Sequence, residues 1–180
     1  MYKRQAYSTS KGLELELNAN LTDQWRVALS YSYADTEFDD FFLNDGTGVP
    51  TVDRSGQAFD FVPEEMFSLT VGYSVADVFA DYDLDASLNF RKVDGYSRPD
   101  TSYIDAPLGA SFDLPSYDNL DMRVILRNDD WRFTLYGKTL PDEFNYSDLG
   151  RGPFTSITAD QLYVTPMAPR HFGLTVAREF

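Results

Sequence analysis

Residues 25–34 read WRVALSYSYA, a stretch in which large apolar or aromatic side chains alternate with small or polar ones. Successive side chains of a β-strand point to opposite faces, so this pattern predicts a strand with one apolar and one polar face. Residues 13–19 alternate in the same way, and only residues 20–24 separate the two segments. Together the two segments predict an antiparallel hairpin.

The same alternation recurs along the chain and predicts more strands of the same kind. A second hairpin is expected over residues 67–75 and 82–91, a third over residues 120–127 and 131–138, and a last strand over residues 171–180. The polar faces of these strands carry charged side chains: Glu14, Glu16, Asp83, Asp85, Arg91, Arg123, Arg132 and Lys138. A shift of one residue in pairing would exchange the two faces, so the register is well specified. We expect about seven strands, or eight if Tyr2 to Thr9 adds one.

The connections between the predicted strands alternate between short and long. Short ones lie near residues 20–24, 76–81 and 128–130, whereas long ones cover residues 38–62, 97–115 and 141–168. Short turns at one end and long loops at the other are typical of outer-membrane barrels, with periplasmic turns and extracellular loops. The sequence therefore predicts an all-β fold, an antiparallel transmembrane β-barrel segment whose apolar face contacts lipid.

Aromatic residues stand at one level of the predicted apolar face. Trp25, Tyr82 and Trp131 each follow a short turn, and Phe180 ends the last strand at the same level. Amphipathic rings favour the headgroup region, so these four residues predict an interfacial aromatic belt on the periplasmic side. Arg178 breaks the apolar pattern, but near the chain end its stem could extend to the headgroups. Core aromatics of a soluble barrel are the alternative interpretation.

Composition and motifs argue against several classes of function. The 29 acidic and 15 basic residues provide no basic stripe for nucleic acid. The chain has no Cys, one His and no motif for nucleophilic catalysis or phosphate binding, so we expect no enzyme activity, no cofactor and no metal site. A catalytic grouping of His171 with Ser111 or Asp113 stays open as a weaker alternative.

Five segments carry motifs: SKGLELE (10–16), LSYSYAD (29–35), FVPE (61–64), YGKTLPDE (136–143) and the ending PRHFGLTVAREF (169–180). In order, they resemble a Gly-hydrophobic-Glu strand opening, a Tyr-Ser/Thr-Tyr-x-Asp strand, a Pro-containing strand start, an Asn-Leu-x-Asp-x-x-Tyr segment and a terminal strand that ends in Phe. In these motifs, which cover almost the whole chain, the sequence resembles the C-terminal region of TonB-dependent outer-membrane receptors. Thr139 and Phe144 depart from the Asn and Tyr of the fourth motif.

The resemblance implies a barrel of 22 strands, an N-terminal plug inside it, and TonB as the source of energy for uptake of a nutrient such as a siderophore or glycan. It also implies a place in the outer membrane of a Gram-negative bacterium, with Phe180 as the signal for the barrel-assembly machinery. The implied partners are outer-membrane lipid, the assembly machinery, the rest of the barrel, the plug, and TonB through an N-terminal part.

The predicted strands are too few for such a barrel, and an open sheet in lipid would leave its edge groups unpaired. Residues 1–7 also contain no apolar segment of the kind found in signal peptides. We therefore expect residues 1–180 to form a single barrel segment of a larger protein, without the plug and signal peptide. A small complete outer-membrane barrel of structural or enzymatic role and a soluble ligand-binding β-barrel are the alternatives.

The long connections are rich in aspartate and aromatic residues. Rings can stack on a ligand, and carboxylates can accept hydrogen bonds or bind Ca²⁺. The predicted ligand contacts are Phe41, Phe42, Tyr96, Tyr103, Phe144 and Tyr146.

Overall fold

The computed structural model describes residues 7–44, 50–99, 111–151 and 162–179, and in these ranges the chain is all-β. The main sheet contains β1 (Tyr7–Asn20), β2 (Trp25–Asp40), β5 (Glu65–Phe79), β6 (Tyr82–Val93), β9 (Tyr117–Arg127), β10 (Trp131–Lys138) and β13 (His171–Arg178). The seven strands are antiparallel and neighbour one another in chain order. The prediction of about seven strands in an antiparallel barrel segment is therefore confirmed.

Each of the three long connections carries a small hairpin at the same end of the sheet. These hairpins pair β3 (Phe42–Asn44) with β4 (Pro50–Asp53), β7 (Tyr96–Pro99) with β8 (Ser111–Leu114), and β11 (Tyr146–Arg151) with β12 (Leu162–Pro166). The sequence predicted only loops here, because strands of three to six residues are too short for alternation to be recognised.

Five strands of the main sheet, β1, β2, β5, β6 and β9, extend beyond their predicted limits. β5 continues to Phe79, so the connection to β6 contains only Ala80 and Asp81, both with positive φ. β1 begins at Tyr7, so the part of the proposed eighth strand that is described, residues 7–9, instead extends β1. The other part, residues 2–6, lies outside the described residues.

The main sheet does not close on itself in the described part of the chain. There, β1 pairs only with β2, and β13 pairs only with β10. A β-strand edge carries unpaired backbone donors and acceptors, which must be satisfied when the surroundings contain no water. The open sheet is consistent with a part of a larger barrel.

The strand register separates an apolar face from a polar face, as the alternation predicted. Reading across the seven paired strands, one row contains Ala19, Val27, Val71, Leu88, Met122, Gly137 and Phe172. The neighbouring row, one residue away and on the other face, contains Asn20, Arg26, Gly72, Ser87, Arg123, Tyr136 and Gly173. We call these two surfaces the apolar face and the polar face.

Large side chains of the apolar face are uncovered. Leu17 is 53% exposed, Leu88 49% and Leu174 67%, and among the described hydrophobic residues only Val93 and Leu114 are buried. An exposed apolar area of this extent is unusual for a protein in water. No helix in the described ranges has the length and hydrophobicity needed to cross a membrane.

Candidate functional site: the polar face and the long-loop end

A chain of polar contacts crosses four strands on the polar face, near the short turns. The Nη2 of Arg26 donates to Ser74 Oγ at 2.7 Å, and this hydroxyl donates to Asp85 Oδ1, also at 2.7 Å. The other oxygen of Asp85 lies 3.3 Å from Arg127 Nη2. Asp85, one of the charges predicted for this face, is thus paired within the sheet.

Basic side chains on β9 and β10 give the neighbouring part of the polar face a positive charge. Arg132 lies directly opposite Arg127, and Lys138 lies opposite His171. Facing like charges destabilise a strand pair unless an acidic group or water surrounds them. Arg123, Arg132 and Lys138 form no ion pair with any residue that the structure describes.

The polar face also contains open hollows, among them hollows of about 480, 510 and 550 Å³. The last of these is lined by hydroxyl, amide and charged groups, among them Asn89, Asp121, Arg132, Thr134 and Lys138. Such a surface can form favourable contacts with water, a polar solute or a polar protein domain. The apolar face cannot form favourable contacts with any of these.

At the long-loop end, the first long connection folds around a buried arginine. The guanidinium of Arg54, 8% exposed, donates to both carboxylate oxygens of Asp60, at 2.6 and 2.9 Å. Its Nε donates to Gln57 at 2.9 Å. The hydrogen bond to Asp60 raises the pKa of Arg54 above its ordinary value. Hydrogen bonds from Ser55 lower the pKa of the Asp53 carboxyl. A paired arginine of this kind fixes the loop, and no sequence pattern indicated it.

The predicted contacts Phe41 and Phe42 lie in this first connection. The Phe41 ring stacks on Phe38 at a centroid distance of 4.7 Å, and Phe38 in turn lies 4.8 Å from Phe59 and beneath the Arg54 guanidinium. Phe41 is therefore engaged within the loop. Phe42 is 38% exposed on β3.

The other predicted contacts lie in the second and third connections. Tyr96 is half-buried on β7. Phe144 is 74% exposed, and its ring centroid lies 6.4 Å from that of Tyr146. Tyr103 lies outside the described residues. The described candidates thus share the long-loop end, and two of them, the exposed Phe144 and the half-buried Tyr146, form an aromatic pair.

Three aromatic residues of the predicted belt lie on the apolar face, at the end opposite the long loops. Trp25 contacts Tyr73 at a centroid distance of 4.8 Å. Tyr82 and Trp131 both lie near Phe133, at 6.2 and 6.0 Å. Tyr73 and Phe133 are members of this group that the sequence did not single out, although both continue the apolar alternation.

The end of the described chain lies close to this aromatic group. The guanidinium of Arg178 lies over the Trp131 ring, 5.2 Å from its centroid. The charge of Arg178 thus lies beside an aromatic ring at the end of the strand. This agrees with the expectation that only the aliphatic stem of Arg178 passes through apolar surroundings. Phe180, the predicted assembly signal, lies outside the described residues.

The alternative catalytic grouping finds no support in the contacts of its members. His171 Nδ1 lies 3.0 Å from the Pro169 carbonyl oxygen, and the carboxylate of Asp113 accepts a hydrogen bond from Ser97 Oγ at 3.1 Å. No hydrogen bond in the described structure joins His171 to Ser111 or Asp113. The described residues also contain no group of three or more His, Cys, Asp or Glu side chains that could hold a metal ion.

The chain is similar in structure to two solved receptors. The siderophore receptor PiuA from Acinetobacter baumannii aligns with 95% of this chain at a TM-score of 0.65 and 20% identity. The ferric yersiniabactin uptake receptor FyuA from Yersinia pestis aligns with 97% at a TM-score of 0.66 and 15% identity. The chain spans 22% and 24% of the lengths of these two proteins. At these identities the similarity shows the fold.

No curated protein matches the sequence. A family model described as "TonB dependent receptor-like, beta-barrel" matches residues 2–149, most of the chain. Members of this family are outer-membrane receptors of Gram-negative bacteria, not enzymes, in agreement with the prediction from the sequence. The matched region includes six of the seven strands of the main sheet. The chain therefore belongs to the TonB-dependent receptor β-barrel family.

Proposed function

We propose that this chain forms part of the wall and extracellular rim of an outer-membrane receptor that takes up a nutrient, such as a siderophore or glycan, with energy from TonB. The observation that carries the proposal is the uninterrupted apolar row across seven strands, with a polar row one residue away on the opposite face. A bilayer on one side and an aqueous interior on the other require this arrangement.

The two ends of the sheet give the proposed wall its direction. Short turns and the aromatic group of Trp25, Tyr82 and Trp131 lie at one end, which we assign to the periplasmic interface. The long connections and the small hairpins lie at the other end, which we assign to the outside of the cell. Ligand would first meet exposed residues there, including Phe42 and Phe144.

The proposed partners follow from the surfaces that the sheet leaves open. The edges of β1 and β13 would pair with further strands of the barrel, since unpaired backbone groups cost several kcal/mol each in lipid. The polar face, with its basic area around Arg123, Arg132 and Lys138, would contact the plug. The barrel-assembly machinery would bind the C-terminal segment that includes β13, and TonB would act through an N-terminal part.

The proposed substrate class draws on two of the similar structures, which are described as a siderophore receptor and a ferric yersiniabactin uptake receptor. The aromatic residues at the long-loop end are compatible with planar iron-binding groups and with sugar rings. A siderophore and a glycan are therefore the two substrates to test first.

Deletion of the gene in its native host tests the proposal. Uptake of radioactive iron supplied as ferric yersiniabactin, and of fluorescent oligosaccharides, should be compared in the parent, the deletion strain and a complemented strain. We expect the deletion strain to lose one of the two uptake activities and the complemented strain to recover it. A protonophore should abolish this activity in the parent strain. Unchanged uptake of both, or recovery of the protein in the soluble fraction, would contradict the proposal.

A further inference from the structure

Arg98, on β7 in the second long connection, makes all its described side-chain contacts with the third long connection. Its Nε lies 3.0 Å from Asp148 Oδ1, its Nη1 donates to the Leu149 carbonyl oxygen, and its Nη2 donates to Tyr163 Oη at 3.4 Å. The acceptors are a carboxylate, a peptide carbonyl and a phenol, and all belong to the β11–β12 hairpin. The residues joined are 50 or more positions apart in the sequence.

The β11–β12 hairpin has space shaped for this guanidinium. Gly150 is buried, and a Cβ atom at this position would lie 2.5 Å from Arg98 Nη1 and 2.6 Å from Tyr163 Oη. Any side chain here would therefore displace the arginine or the tyrosine. A lysine could not reproduce the contacts either, because its ammonium lacks the planar fork that reaches three separate acceptors.

The same short strand is also joined to the first long connection. The backbone N–H of Phe61 donates to the Ser97 carbonyl oxygen at 2.8 Å. Phe61 has a φ of 63°, a conformation that is costly for a bulky residue and persists only where the surroundings hold it. Ser97 thus contacts the first long connection through its backbone. Arg98 contacts the third through its side chain.

We propose that Arg98 is a positioning residue that fastens the second and third long connections together and so fixes the shape of the receptor's extracellular mouth. Tyr96 and Tyr146, both predicted ligand contacts, each lie two residues before a member of the ion pair. Fixing these strands in advance removes part of the ordering cost of ligand binding. The inference rests on the proposed function where it concerns the extracellular side and ligand capture.

The degree of burial separates this ion pair from an ordinary surface pair. The side chains of Arg98 and Asp148 are 18% and 34% exposed, whereas those of Arg170 and Asp142, 2.7 Å apart within the third connection, are 45% and 47% exposed. Surface pairs contribute little because water and salt screen them. Arg170 and Asp142 therefore provide a matched control, an ion pair in the same region that joins no two connections.

The test is a distance measurement between the two connections. Cysteines introduced at the exposed Ser116 and Thr165 carry the spin labels, in the intact protein in outer membranes. Residues 1–180 contain no other Cys, and any Cys in the rest of the receptor is first replaced by Ser. We expect a narrow distribution of label distances, which R98Q and G150A both broaden and which D142N leaves unchanged. R98K should lie between the parent and R98Q. If R98Q does not assemble, D148N replaces it, since it removes the charge at nearly the same size.

Unchanged distributions in both R98Q and G150A would overturn the inference, as would equal broadening in D142N. A second measurement examines ligand capture with ferric yersiniabactin as the probe. We expect R98Q to raise the KM of uptake about tenfold while the maximal rate changes less than about twofold. A KM that stays the same would overturn the positioning role. Failure of the parent protein to transport this probe would count against the siderophore proposal alone, and the distances would still decide the role of Arg98.

Discussion

The two faces of the seven-stranded sheet differ in chemistry, although every strand contributes to both. On the apolar face, Val27, Val71 and Leu88 follow one another across the strands, while on the polar face Arg26 and Ser87 occupy the adjacent row. The polar face satisfies its groups with contacts such as Asp85 to Arg127. The apolar face has nothing in the described structure to cover it. Half of this sheet is therefore completed by surroundings outside it.

The largest expected effect comes from placing a charge on the apolar face. Leu88→Arg puts a guanidinium in the middle of the apolar row, and a charge at the bilayer midplane costs about 2–4 kcal/mol. We expect the free energy of unfolding of the intact protein in lipid vesicles, measured by denaturant titration, to fall by that amount. Asn89→Arg, one residue away on the polar face and opposite Asp121, is the matched control and should change it by less than about 1 kcal/mol. Equal losses of unfolding free energy in both variants would contradict the assignment of lipid to one face and water to the other.

A smaller effect is expected where an aromatic ring covers a glycine between β10 and β13. Tyr136 lies across from Gly173, and its ring occupies the space that a Cβ at Gly173 would take. Gly173→Ala should cost about 1–3 kcal/mol of unfolding free energy, because the ring must move. The same substitution in a Tyr136→Ala background should cost much less, so the two changes should not be additive. Additive losses would show that the ring is not the obstacle.

The aromatic group at the short-turn end gives a third, weaker effect. Arg178→Gln removes the cation over the Trp131 ring, and such contacts contribute about 0.5–1 kcal/mol at exposed sites. In a Trp25→Phe background, Trp131 is the single tryptophan of residues 1–180, and the difference in emission between Arg178→Gln and this background should show a shift when the cation is removed. The control is Arg170→Gln, which lies just before the other end of the same strand. An identical spectrum for Arg178→Gln and its parent would contradict the contact.

The smallest effect is expected within the polar face. Asp85→Asn removes a pair with Arg127 in which both side chains are at least 30% exposed, and we expect a loss of less than about 1 kcal/mol. Repeating the denaturant titration at high salt should reduce the difference further, since salt screens exposed charges. A loss as large as that of Leu88→Arg would mean that the polar face holds the wall together.

The wall could be predicted from the sequence, and the long-loop end could not. Alternation in WRVALSYSYA fixed which side of β2 is apolar, because the side-chain period of a strand requires no knowledge of distant residues. The pairing of Arg98 with Asp148 depends on how two hairpins meet in space, and no local pattern marks it. No sequence pattern pointed to Arg54 either. Its ion pair with Asp60 is local, but burial among Phe38 and its neighbours makes it important.

Accessibility along β6 tests the central claim, that the apolar face contacts lipid, most directly. Spin labels on single cysteines at residues 84–90 of the intact membrane protein can be examined for collision with oxygen, which concentrates in lipid, and with a water-soluble nickel complex. The account predicts an alternation with a period of two, with high oxygen collision at Leu84, Ala86, Leu88 and Phe90 and low collision at Asp85, Ser87 and Asn89. Equal oxygen collision at neighbouring positions, or ready access of the nickel complex to Leu88, would contradict it.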